Sequence, residues 1–67
     1  MTKLTFKHDS GDHELTDDWY LWINKKPTNH CISQVGHIYY VYLYDKYVDM
    51  LDTLKEAKEF MMEELGL

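Results

Sequence analysis

Two hydrophobic rhythms share this chain. The first has a period of two and occupies the N-terminal and central parts. Leu4 and Phe6 alternate with Thr5 and Lys7, which predicts a short strand. Trp19 to Ile23 is rich in β-favouring residues and predicts a second. A third strand is expected from Ile32 to Tyr44, bent or bulged at Gly36. Asp9-Ser10-Gly11-Asp12 has turn chemistry, with Gly11 free to take positive φ, and Asn24 to Asn29 around Pro27 reads as a loop.

The C-terminal third supports two readings. In the first, Asp45-Lys46 is a tight turn and Tyr47 to Leu51 is a returning strand. Thr53 then caps a helix, with Glu56 three residues on completing a capping box. Leu54, Ala57, Met61 and Leu65 form its buried stripe, and Gly66 ends it. In the second, one long helix starts at Asp45, with Tyr47, Met50 and Leu51 added to its apolar side. The alternation through Tyr39 to Tyr44 and the capping box favour the first. Either reading gives one α+β domain over residues 1–67, a small antiparallel sheet of three to four strands packed by one C-terminal helix.

The strands are apolar or aromatic on both faces. Ile38, Tyr40, Tyr42 and Tyr44 fall on one side and Tyr39, Val41 and Leu43 on the other; Trp19, Leu21 and Ile23 likewise oppose Tyr20 and Trp22. A sheet with one wet face alternates apolar and polar residues instead. One helix covers one face, so a homodimer is expected to cover the second, with Trp19, Trp22, Tyr40 and Tyr42 assigned to the core or the dimer seam. Size points the same way, because a 67-residue chain builds a thin core and Cys31, its one cysteine, cannot form an internal disulfide.

Charge narrows the partners. Twelve acids face seven lysines and no arginine, for a formal net charge of -5. That balance disfavours direct nucleic-acid binding and anionic membrane surfaces. The longest apolar run, Ile38 to Tyr44, is far short of the ~20 residues a membrane span requires. With no signal-peptide pattern at the N-terminus and a single cysteine, a cytoplasmic protein is expected.

The acids are not scattered. Asp9, Asp12, Glu14, Asp17 and Asp18 form one block without a lysine, and no acid occurs from Trp19 to Tyr44. Asp45, Asp49, Asp52, Glu56, Glu59 and Glu63 then recur every three or four residues. On a helix this spacing aligns carboxylates on one face, about 5 Å apart at ~1.5 Å rise per residue. Such a row is comparable to the charge repeat of a DNA strand and can meet a lysine-rich DNA-binding groove. The ordinary alternative is a solvated helix face, softened by Lys55 beside Asp52 and Glu59.

Other chemistry is weakly signalled. His8 and His13, or His30, Cys31 and His37, match no zinc spacing, and Asp9, Asp12 and Glu14 lack the pattern of a calcium loop. Cys31 and His30 are neighbours on a strand and point apart, so they make no nucleophile–base pair. No catalytic residue, metal or cofactor is assigned.

In size, acidity, aromatic centre and carboxylate rows, the chain resembles the small, acidic, early-expressed bacteriophage proteins that disable host machinery, some by mimicking DNA. That resemblance implies a non-enzymatic inhibitor in the host cytoplasm, competing with DNA for a basic host protein. A two-fold dimer would duplicate the acidic rows, so a symmetric basic dimer such as a histone-like nucleoid protein of the HU type is the expected target. Asp49, Asp52, Glu56, Glu59 and Glu63 are the expected main contacts, with Asp45 beside them and Asp12, Glu14, Asp17 and Asp18 extending the surface. The alternative is a small adaptor that binds a partner protein through exposed aromatics or a sheet edge.

Overall fold

The computed structural model describes residues 2–9 and 16–67. The turn expected at Gly11, with Asp12, His13 and Glu14, lies outside the described residues. Five strands, β1 (Leu4–Asp9), β2 (Thr16–Ile23), β3 (Lys26–Val35), β4 (Ile38–Leu43) and β5 (Lys46–Leu51), precede one helix, α1 (Leu54–Leu65). They pair antiparallel in chain order as a single meander. The α+β arrangement is as expected, with five strands in place of three to four.

The extra strands come from two-residue turns. Gly36 and His37 separate β3 from β4, so the expected long strand folds back on itself, and Val35 pairs with Ile38. Gly36 has φ 63°, a value a side chain opposes, although a Cβ there would meet nothing within 4 Å. Backbone geometry, rather than space, selects glycine.

The other two hairpins place two left-handed residues in succession, which matches the twist of the flanking strands. Asn24 and Lys25 (φ 51° and 67°) join β2 to β3, and Tyr44 and Asp45 (φ 55° and 62°) join β4 to β5. The second turn thus sits one residue earlier than Asp45-Lys46. Asn24 also anchors β1: its Oδ1 accepts the Lys3 N–H and its own N–H donates to the Lys3 carbonyl, both at 2.8 Å.

The segment expected to loop around Pro27 is the start of β3. Register shifts between Tyr20 (opposite Cys31) and Trp22 (opposite Pro27), leaving Thr28, Asn29 and His30 against Leu21 alone. Pro27 has no N–H to donate, and the bulge removes the need for one. Thr28 Oγ1 instead donates to the Leu21 carbonyl at 2.7 Å and accepts the His30 N–H at 3.3 Å.

The helix begins and ends as its end residues dictate. Thr53 Oγ1 accepts the Glu56 N–H at 3.1 Å. At the other end Gly66 (φ 72°) donates to the Glu63 carbonyl and Leu67 to that of Met62, the paired bonds of a Schellman stop. The single long helix from Asp45 is excluded, because residues 46–51 pair with β4. Ala57 and Met61 pack on Leu21, Ile32, Val41 and Leu43 to form the core, edged by Phe6, Trp19, Leu54 and Leu65 among others. Every core residue lies on the helix side of the sheet.

Candidate interaction surfaces

The register assigns each strand residue to a face. Trp19, Leu21, Ile32, Val41 and Leu43 face α1. On the opposite face Lys7, Tyr20, Cys31, Tyr42 and Tyr47 form one row across all five strands. A second row runs Asp9, Asp18, Ser33, Tyr40, Met50. No element of the described chain covers this face.

The rings on it are ordered by mutual contact. Tyr47 lies 6.0 Å from the rings of both Tyr40 and Tyr42. Lys7 extends its ammonium over Trp22, 3.8 Å from the ring centre. Tyr47 and Met50 remain half-exposed, at 50% and 52%. Of the four aromatics assigned to core or seam, Trp22, Tyr40 and Tyr42 are on the open face. Trp19 is on the helix side, stacked on His8 at 4.8 Å and tilted against Tyr39 at 5.9 Å.

Tyr47 and Met50 were not legible as members of this face. They are three residues apart and share it only because Val48 is an extra residue where the β4–β5 register shifts. Strict alternation would have separated them. Tyr20 and Cys31, by contrast, follow from period-two alternation alone.

The acids divide among several environments. On α1, Glu56, Glu59 and Glu63 are exposed on the side away from buried Ala57 and Met61. Asp52 precedes the cap and continues their spacing. Asp49 is opposite Val41 and so on the helix side of β5, where its Oδ1 accepts the Met50 N–H at 2.8 Å. Asp45 occupies the β4–β5 turn.

Asp17 and Asp18 do not extend this row. As neighbours on β2 they take opposite faces, Asp17 bonding His8 Nε2 at 3.0 Å and Asp18 accepting from Ser33 Oγ. Asp12 and Glu14 lie outside the described residues.

The lysines do not neutralise the row. Among the described residues the one ion pair is His8–Asp17, and no lysine is within 4.0 Å of a carboxylate. Lys58 instead lies over the Phe6 ring at 5.0 Å, as Lys7 does over Trp22. Lys7 and Lys58 sit on rings, and among the described residues no lysine comes within 4.0 Å of the carboxylates of α1.

His30 is buried on the helix side, and burial holds its pKa below the usual histidine value despite the opposing pull of Asp45. Cys31 is on the other face, where burial, then Asp18 and Asp45, push the thiol pKa up and favour the neutral form. Tyr20 is raised chiefly by Asp18, then by burial. The described residues form no pocket, bring together no group of three or more metal-ligating side chains, and include no helix long and apolar enough to cross a membrane. No protein-family model matches the chain, and no curated protein or solved structure is significantly similar to it.

Proposed function

We propose that this chain is a non-enzymatic acidic protein that binds a basic DNA-binding protein and inhibits it by offering carboxylates where DNA offers phosphates. The observation that carries this reading is the set Glu56, Glu59 and Glu63, exposed on one side of α1, with Asp52 exposed just ahead of the cap and none of them within 4.0 Å of a lysine. Like charges three and four residues apart repel, so such a row is relieved by an external cation. Steering by a net charge of -5 accelerates encounter with a basic groove, and salt weakens it. A histone-like nucleoid protein of the HU type fits the chemistry of the target.

The test is displacement of labelled duplex DNA from such a protein, followed across a salt series. Displacement at low salt that fades as salt rises, and that is lost in Glu56→Lys/Glu59→Lys, supports the reading. Failure to displace DNA at low salt overturns it.

A second reading, an adaptor that binds a neutral partner through Trp22, Tyr40, Tyr42 and Tyr47, is favoured by the contact of Tyr40 and Tyr42 with half-exposed Tyr47 on the open face. It predicts binding that is indifferent to salt and to the Glu56 and Glu59 reversals.

A further inference from the structure

We infer that the tip of the β4–β5 hairpin is a latch that protonation of His30 releases, lifting Tyr47 away from Tyr40 and Tyr42. The tip is a separable unit. Its boundary is the register shift at Val48, which falls between the Val41–Asp49 and Tyr42–Tyr47 pairs. On the turn side of that shift, the Tyr42–Tyr47 and Leu43–Lys46 pairs alone join β5 to β4. Tyr44, Asp45, Lys46 and Tyr47 are all exposed, so burial does little to hold them. The other end of β5 is anchored, because Leu51 packs against the core and α1 follows with Ala57 and Met61 buried in it.

What ties the tip down is β3. The N–H of Tyr44 donates to Nδ1 of His30 and that of Asp45 to the Asn29 carbonyl, each at 3.1 Å. Both turn residues have left-handed φ, 55° and 62°, which their side chains oppose, so the turn leans on these outside contacts. Protonation makes Nδ1 a donor, and two N–H groups then face each other where one bond stood. The ring is only 7% exposed; β2 brings Leu21 against it, and the turn brings Tyr44 and Asp45. Asp45 is the charged group among these, and it belongs to the tip. Its attraction favours the charged ring without restoring the lost bond. Swinging the tip outward admits water to the imidazolium and relieves the unpaired donors.

The consequence is on the opposite face of the sheet. Tyr47 is the ring that meets both Tyr40 and Tyr42, at 6.0 Å from each, and it lies on the tip side of Val48. Release of the tip therefore uncovers Tyr40 and Tyr42. A proton taken up on the helix side is reported on the aromatic side, with the helix and the rest of the sheet left in place.

Amide hydrogen exchange followed by NMR, from neutral pH downward through the His30 ring titration, tests the latch. Protection of the Tyr44 and Asp45 amides should fall by up to about tenfold per pH unit below about 6.5, the slope of one proton, until the folded-state pKa is passed. The amides of Ile32 and Met61 should keep their protection, and Overhauser contacts between the Tyr47 and Tyr42 rings should fade with the tip. His30→Asn retains an acceptor oxygen that does not titrate, so its tip should stay protected throughout. Asp45→Asn removes the charge that favours the protonated closed form and should widen the pH range over which opening rises. Uniform loss of protection along the chain, tip amides that stay protected while His30 titrates, or an unchanged pH dependence in folded His30→Asn overturns the proposal. If His30→Asn fails to fold, the wild-type comparison of tip and core amides decides by itself.

Discussion

The backbone N–H of Tyr44 donates to Nδ1 of His30 at 3.1 Å, linking the β4–β5 turn to the bulged part of β3. Tyr44 is left-handed, a conformation that costs a residue with a side chain roughly 1–2 kcal/mol. Its ring also meets the His30 ring edge-on, centres 4.6 Å apart, and the next residue, Asp45, donates its N–H to the Asn29 carbonyl at 3.1 Å. The turn is therefore held in a strained shape by contacts with the segment carrying His30. An imidazole accepts at Nδ1 only while that nitrogen is unprotonated, so the arrangement requires neutral histidine.

Stability should accordingly fall in mild acid. The His30 pKa is lowered on folding, so the unfolded chain binds more protons once pH drops below about 6.5. Its contribution is complete above that value and declines as pH falls toward the folded-state pKa. Urea denaturation of the wild type and His30→Asn across this range should show a pH-dependent difference. Parallel curves would refute the assignment to His30.

Asp45 acts on the same histidine in the opposite sense, through its negative charge. Asp45→Gly should relieve one left-handed residue and stabilise the fold at neutral pH by up to about 1 kcal/mol. It should also widen the acid-sensitive window, because His30 loses the carboxylate that favours its protonation. The measurement is the NMR titration of His30, whose pKa should move down in this variant.

Thr28→Val should destabilise the domain by about 1–3 kcal/mol. The substitution conserves shape but leaves the Leu21 carbonyl without the hydroxyl that serves it in the bulge. Thr28→Ser retains the donor and should recover most of the loss. Thermal melts of the two variants check the pair.

Much of the sheet and helix is legible in sequence because local and global preferences agree. Thr53, Glu56 and Gly66 mark the helix, and Leu54, Ala57, Met61 and Leu65 repeat at its period. The misreadings share one cause, in that register depends on non-local pairing. Pro27 signals a loop locally, yet it is accommodated in β3 by a bulge opposite Leu21. Ile32 to Tyr44 looks like one strand, although a run of that length exceeds the usual five or six residues and Gly36 can turn it. The acidic row is visible as spacing, whereas its lack of lysine partners is not, because Lys55 stands three residues from Asp52 and four from Glu59 yet is within 4.0 Å of neither carboxylate.

Reversing the acidic row one residue at a time should separate stability from binding. Glu56 is in the first turn of α1, where the positive end of the helix dipole favours a carboxylate. Glu63 is in the last turn, which has no basic residue, and stands one turn beyond Glu59. Glu63→Lys should therefore stabilise the helix by roughly 0.5–1 kcal/mol, by removing a repulsion and complementing the dipole. Glu56→Lys should destabilise it by a similar amount. If the row is the target-binding surface, both variants lose DNA displacement despite their opposite effects on melting temperature. Loss of displacement in Glu56→Lys alone would attribute the effect to weakened folding and remove Glu63 from the binding surface.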